Sequence, residues 1–212
     1  MAQRIPATGR RHTRGRGYNG AVNIAIIEGH PDAGNGHYCD ALAAAYAEGA
    51  RSAGHQVRRI AVASRRFAWL RSKAEWEQGP PPDGLEEDQA TIRWAEHLVL
   101  VYPLWLGSMP ALLKGWLEQV LRPGFAFGSV SGSRWKRMLK GKSAHIVVTM
   151  GMPAFLYRWY FGAHSLKSLE RNILGFVGIA PVRATLIGRV EGRAARRRRW
   201  LERVTELGRN AR

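Results

Sequence analysis

Three short runs with almost no polar residues set the frame for this chain: AVNIAIIEG (21–29), LVLVYP (98–103) and SAHIVVTMG (143–151). Each is too short to be a core helix and too uniformly apolar to alternate between core and water. Each therefore suits a strand covered on both faces. HQVRRIAVA (55–63) and VRATLIG (182–188) read as two further strands. Between the strands lie segments of helical period. In YCDALAAAYAEGARSAG, Leu42, Ala45, Tyr46 and Ala53 recur at helical spacing, and Gly54 is a stop signal. LEEDQATIRWAEH has an acidic first turn, which complements the helix dipole. After LVLVYP, residues Leu112, Leu113, Trp116, Leu117, Val120 and Leu121 form one apolar stripe, with Ser108 as the expected cap and Pro110 in the first turn. SLKSLERNILGFVG supplies another helix, and RRRRWLERVTELGRN a closing one with Trp200, Leu201, Val204 and Leu207 on one face. RRFAWLRSKAEWEQGPPPDG reads as a surface loop marked by its three prolines.

Strands alternating with helices at this spacing predict an α/β chain with a doubly wound, five-stranded parallel sheet, order 2-1-3-4-5, and helices on both faces. Residues 21–212 form one domain in this reading, after a disordered basic leader at 1–20 and ending in the Arg-rich helix. In such an order a ligand lies at the carboxyl ends of strands 1, 3 and 4, beside the switch point. Those strands are followed by GHPDAGNGHYC, PLWLGSMPA and TMGMPAFLYRWYFGAH.

Composition narrows the functional classes. The single cysteine, Cys39, excludes an internal disulfide framework and suits a reducing compartment. No apolar run approaches the roughly 18–20 residues of a membrane span, and the N-terminus has no apolar signal region, so a cytoplasmic protein is expected. The net charge of +17 gathers at the ends: residues 1–20 carry five Arg and no acid, and residues 189–212 carry nine Arg against Glu191, Glu202 and Glu206. With 27 Arg to 6 Lys, this excess reads as codon bias in solvated tails. Aromatic residues do not interleave with base-reading ones, so nucleic acid is not an expected partner. A tether to an anionic membrane ranks behind the solvated reading.

The three loops carry the chemistry. GHPDAGNGHYC runs into a helix N-terminus, where free N–H groups around His37–Asp40 and the helix dipole suit a phosphate, with His30 and His37 as side-chain donors. It matches neither glycine-rich phosphate motif, and a turn that only caps the helix is the alternative. His30, Asp32, His37 and Cys39 match no standard ligand spacing, and no metal is expected. The loop Pro103, Leu104, Trp105, Leu106, Gly107 is apolar where solvated loops carry Gly, Asn, Asp or Ser. Something flat and apolar covers it in this reading, with backbone N–H groups of Leu104–Leu106 on its polar edge and Gly107 permitting close approach. Thr149 and Gly151 leave their strand with N–H groups suited to developing negative charge. Tyr157 and His164 could supply a proton or hydrogen bond, though without a partner either reads more readily as a satisfied core or rim residue. A planar ring on Pro103–Gly107 with a phosphate tail on the first helix describes a flavin.

YPLWLGSMPALLKGWLEQVLRPGFAF, IVVTMG and SLERNILGFVGI resemble the flavodoxin-like NAD(P)H:quinone oxidoreductases, a group that includes ancillary subunits of glutathione-gated potassium-efflux systems. The likeness runs from about Asn23 to Ile187. It implies a flavodoxin-like fold, non-covalent FAD or FMN, a homodimer, and ping-pong hydride transfer from NAD(P)H through the flavin to a quinone or similar electrophile. By the same resemblance, His30, His37, Tyr38 and Cys39 surround the flavin phosphate, and Leu104, Trp105 and Leu106 wrap the isoalloxazine. Thr149 and Gly151 face its pyrimidine edge, and Tyr157 and His164 offset charge on the reduced ring. Phe127 lines the acceptor pocket from across the dimer interface. The chain departs from the pattern in having Thr149-Met150-Gly151-Met152 where many members have Thr-Thr-Gly-Gly, Phe127 where many have tyrosine, and a first loop about two residues longer. The alternative implied by the resemblance is a regulatory subunit that keeps the flavin and docks on a membrane transporter.

Overall fold

The computed structural model describes residues 20–34, 36–130 and 134–211. Except for Gly20, the basic leader expected at 1–20 lies outside the described residues. The apolar runs form β1 (Asn23–Glu28), β3 (His97–Pro103) and β6 (Ser143–Met150), the three inner strands of one sheet. β2 (Gln56–Ala61) and β7 (Val182–Gly188) close its edges, and all neighbours run parallel in the order β2-β1-β3-β6-β7. Counted over these strands alone, the order is 2-1-3-4-5, reversing between β1 and β3. β3 and β6 are buried along their whole length.

Strand alternation sends successive side chains to opposite layers. Ile24, Ile26, Val99, Val101 and Val147 pack under α1 (Tyr38–Ser52) and α7 (Ala194–Arg209). Ala25, Ile27, Leu98, Leu100 and Val148 face the other layer, formed by α3 (Leu85–Trp94), α4 (Ala111–Val120) and a helical stretch after β6. That stretch is α5 (His164–Ser168), a π-helical turn over Leu169–Leu174, and α6 (Gly175–Val177). α1 and α7 cross at glycines: a Cβ on Gly49 would lie 1.9 Å from the Thr205 carbonyl oxygen, and one on Gly208 2.2 Å from that of Tyr46. The backbones touch because neither glycine has a side chain.

Two local expectations are corrected, and one element arises where none was expected. The excursion before the prolines contains a short helix, α2 (Lys73–Gln78), because the Ser72 hydroxyl accepts the Glu75 N–H at 3.1 Å and caps it. Residues after α4 form an antiparallel hairpin, β4 (Phe127–Val130) with β5 (Arg134–Arg137), in a stretch without clean alternation. Ser108 does not cap α4. Its backbone is engaged in the preceding turn, the helix starts at Ala111, and Pro110 stands at the cap position with its carbonyl accepting from Lys114 N–H at 3.1 Å.

The excursion is tied down by buried charge. Asp88 accepts from Arg65 Nη2 at 2.7 Å, from Arg65 Nε at 3.0 Å and from the Trp116 indole at 2.8 Å, joining α3 and α4 to the chain after β2. Among the described residues, no helix is long and apolar enough to cross a membrane.

Candidate functional site

The site is built where the sheet order reverses. Gly29 N–H donates to Val101 O at 2.8 Å, extending the β1–β3 pairing one residue past β1. A Cβ on Gly29 would lie 2.6 Å from Leu113 Cδ2, so the chain leaves the strand pressed against α4. Beyond it, the His30 ring stacks on His37 with centroids 3.8 Å apart and planes at 19°. The same imidazole meets the Trp105 indole edge-on at 5.7 Å. The first two loops therefore touch through aromatic rings.

The Asp32 carboxylate accepts the Gly34 N–H at 2.8 Å and pairs with His37 Nε2 at 2.9 Å. The Gly34 hydrogen bond, with help from His37, holds the Asp32 carboxyl below the ordinary carboxylate range. The Asp40 carboxylate accepts the His37 N–H at 3.2 Å, so an acid is spent on the helix entrance. The first residues of α1, Tyr38 and Cys39, have N–H groups with no intrahelical acceptor. Their side chains are committed elsewhere. The Tyr38 hydroxyl donates to Arg197 O of α7 at 3.0 Å, and burial pushes its pKa to about 12. Cys39 is buried with Sγ 3.3 Å from Thr149 Oγ1, and burial raises the thiol to about 11. Cys39 is thus a neutral thiol at pH 7, leaving the dipole at this helix start undiminished by a thiolate. Among the described residues, no group of three or more His, Cys, Asp or Glu could hold a metal ion.

The second loop is a tight turn. Trp105 and Ser108 exchange both backbone hydrogen bonds at 2.9 Å, and the two central residues have positive φ, +47° at Leu106 and +78° at Gly107. That is the geometry of a type I′ turn, in which glycine is at ease and leucine is strained. Leu104 N–H donates to Thr149 O at 2.7 Å, joining this loop to the end of β6. The expectation that Leu104, Trp105 and Leu106 all offer N–H groups to a ligand is corrected: the first two are used within the protein. Leu106 N–H has no acceptor among the described residues. The Leu106 side chain is fully exposed and Trp105 is half-exposed, while a Cβ on Gly107 would meet nothing within 4 Å. Pro103 is buried as the last residue of β3.

The third loop leaves β6 at Met150. A Cβ on Gly151 would meet nothing closer than Glu191 Oε1 at 3.7 Å, so backbone there is open to close approach. Tyr157 is 2% exposed, and its hydroxyl lies 2.7 Å from Ser165 Oγ and accepts the Leu166 N–H at 3.2 Å. The structure does not join Tyr157 to His164 by a hydrogen bond. His164 is exposed and lies over Gly162, where a Cβ would come within 2.7 Å of Nε2. Ser165 is the partner that reading the sequence missed. Eight residues separate it from Tyr157 with irregular helical turns between them, and no simple period signals their meeting.

Phe127 stands apart from these loops. It is buried within a ring of aromatics, 5.1 Å from Phe176 and 5.6 Å from both Trp76 and Trp135. It lines a cavity of about 550 Å³ with Arg71, Trp76, Lys114, Leu117 and Phe176, and no lining residue belongs to the three switch-point loops of the same chain.

The family described as Flavodoxin-like fold matches residues 22–207. The human ribosyldihydronicotinamide dehydrogenase [quinone] is 38% identical over 73 residues, which are 34% of this chain and 31% of that protein. An ancillary protein of the glutathione-regulated potassium-efflux system of Escherichia coli is 41% identical over 75 residues, 35% of this chain and 38% of that one. The chain spans about a third to a half of the length of the curated relatives it matches. Among solved structures, the NAD(P)H:quinone oxidoreductase of Methanothermobacter marburgensis superposes with a TM-score of 0.73 at 24% identity, over 90% of this chain and 97% of that one. This last likeness is one of fold.

Proposed function

Since the chain belongs to the Flavodoxin-like fold family, we propose that it is a flavin-dependent NAD(P)H oxidoreductase of the quinone-reducing type. The observation that carries this reading is the exposed Trp105–Leu106 turn standing beside the open N-terminus of α1 at the switch point. The donor set suits a flavin. Uncapped N–H groups of Tyr38 and Cys39, with the imidazoles of His30 and His37, would hold its phosphate, and Asp32 would have to release His37. Trp105 and Leu106 would lie against the ring, with Leu106 N–H, Gly107 and Gly151 allowing its edge to approach backbone. Thr149 is held by Cys39 and by Leu104 N–H, and so keeps the floor of the site in place.

When bound, FAD or FMN supplies the redox chemistry, taking a hydride from NAD(P)H and passing it to a quinone-like acceptor at one face in turn. Tyr157 keeps its hydroxyl at a set position through Ser165 and Leu166 N–H, and with His164 offsets negative charge near the ring. A homodimer, with the acceptor in the cavity that Phe127 of a second copy helps to line, is part of this reading.

A second reading draws on the potassium-efflux relative. The chain would keep the flavin and act as an ancillary subunit on a membrane transporter. One experiment separates the two. The purified protein should show the visible bands of a flavin, and anaerobic NADPH should bleach them, with a quinone restoring the colour. Flavin that stays oxidised under NADPH, or that is reduced but not reoxidised by a quinone, favours the ancillary subunit. A protein that takes up neither FMN nor FAD ends both.

A further inference from the structure

The chain after β6 crosses the carboxyl edge of the sheet as Met152–Phe161, and except for Tyr157 it presents its large side chains outward. Trp159 is 82% and Tyr160 81% exposed, and Phe155 and Phe161 are at least half-exposed. The segment is firmly held. Leu156 N–H donates to Pro153 O at 3.0 Å, Phe161 N–H to Leu156 O at 3.1 Å and Ala163 N–H to Tyr157 O at 3.0 Å, while Tyr157 anchors it inward. An ordered run of exposed aromatics at one edge marks a contact surface.

Its charge says what it contacts. Arg189 N–H donates to Met152 O at 3.1 Å and Val190 N–H to Met150 O at 3.3 Å, which lays the start of the Arg-rich segment beside the aromatic one. The Arg197 guanidinium then fastens the start of α7 by donating to Gly192 O at 2.7 Å and Val190 O at 3.3 Å. Arg158, Arg189, Arg193, Arg196, Arg198 and Arg199 are exposed around this edge, and Glu191 is the sole acid between residues 151 and 199 apart from Glu170 on the receding helix. We propose that this edge docks on an anionic lipid bilayer, with Phe155, Trp159, Tyr160 and Phe161 in the interfacial layer and the arginines on the headgroups.

Amphipathic rings settle at the bilayer interface, and guanidinium groups gain from anionic headgroups. A second copy is the competing occupant. A two-fold interface sets a patch against itself, so it would bring these arginines towards their own counterparts. An anionic surface neutralises them. If the proposed activity holds, the site opens towards the layer where lipophilic acceptors dissolve; the docking itself does not depend on that activity.

The test is co-sedimentation of the full chain with vesicles of phosphatidylcholine, alone or mixed equally with phosphatidylglycerol. Binding should be about tenfold or more tighter on the anionic vesicles and weaken with salt. The exposed triple variant Trp159→Ala, Tyr160→Ala, Phe161→Ala should lose about tenfold on the same vesicles. Arg196→Gln, Arg198→Gln, Arg199→Gln should remove most of the salt-sensitive part while the flavin site is untouched. Equal binding to both vesicle types, or none, overturns the proposal. So does anionic binding that survives the aromatic variant unchanged, since the net charge alone would then explain it. A dimer that Trp159→Ala converts to monomer, with no vesicle binding in either form, assigns the surface to a second copy.

Discussion

Tyr157 illustrates how one side chain can hold the fold and also be given a proposed role at the site. Its hydroxyl is the acceptor for Leu166 N–H and the partner of Ser165 Oγ, inside a side chain that is almost fully buried. Tyr157→Phe strips that N–H of its acceptor, which costs roughly 1–3 kcal/mol where the group stays buried. We expect a lower denaturation midpoint and, at a temperature where the variant is fully folded, slower bleaching of the flavin by NADPH without its release. Ser165→Ala keeps the acceptor for Leu166 and should cost less. Stopped-flow reduction beside chemical denaturation separates the two effects. Unchanged reduction kinetics in Tyr157→Phe would remove the proposed role at the ring while leaving the structural one.

Between elements, the decisive feature is the crossing of α1 and α7 at Gly49 and Gly208. A methyl group at Gly49 would point into the backbone oxygen of Thr205, which cannot rotate away, so the helices must part. Overpacking of this kind costs about 1–3 kcal/mol or more. Gly49→Ala should therefore lower the thermal midpoint, whereas Gly128→Ala, where a Cβ would meet nothing within 4 Å, should move it little. An equal and small effect of both would mean that α7 is loosely seated. Its seating matters beyond stability, because α7 carries Arg197 to the loop after β7 and Val204 into the core shared with α1.

For the molecule as a whole, acid acts through the bottom of the sheet. His97 opens β3, and its Nδ1 lies 2.7 Å from Ser143 Oγ while burial keeps its pKa at about 3, with His145 and Arg183 adding repulsion. An unfolded histidine titrates near 6.5. Between those values the unfolded chain binds a proton that the folded chain refuses, so the stability present above pH 6.5 is lost as the pH falls towards 3, by at most about 1.4 kcal/mol per pH unit. Urea unfolding at pH 7 and pH 5 should show a loss of about 2 kcal/mol that is smaller in His97→Gln. An identical pH dependence in the variant would place the acid sensitivity elsewhere, for example in repulsion within a chain whose net charge is already +17.

The layered α/β plan and the three loops that meet at the switch point were legible in the amino-acid order alone. Those follow from local chemistry: VLVY and HIVV cannot be solvated, helical stripes must face a sheet, and strand alternation divides Ile24 from Ala25. Even the apolar oddness of Leu104–Trp105–Leu106 was legible, because loops ordinarily meet water. Which atoms of that loop remain available was decided only in three dimensions. The Leu104 and Trp105 N–H groups are taken by Thr149 O and Ser108 O, and Leu106 sits at a positive φ that leucine does not advertise. In the same way, nothing local brings Ser165 to Tyr157, or Arg189 to Met152 across more than thirty residues. Such pairings depend on how irregular helical turns rotate side chains and on where two neighbouring strands end. Both are properties of packing, which period and propensity do not encode.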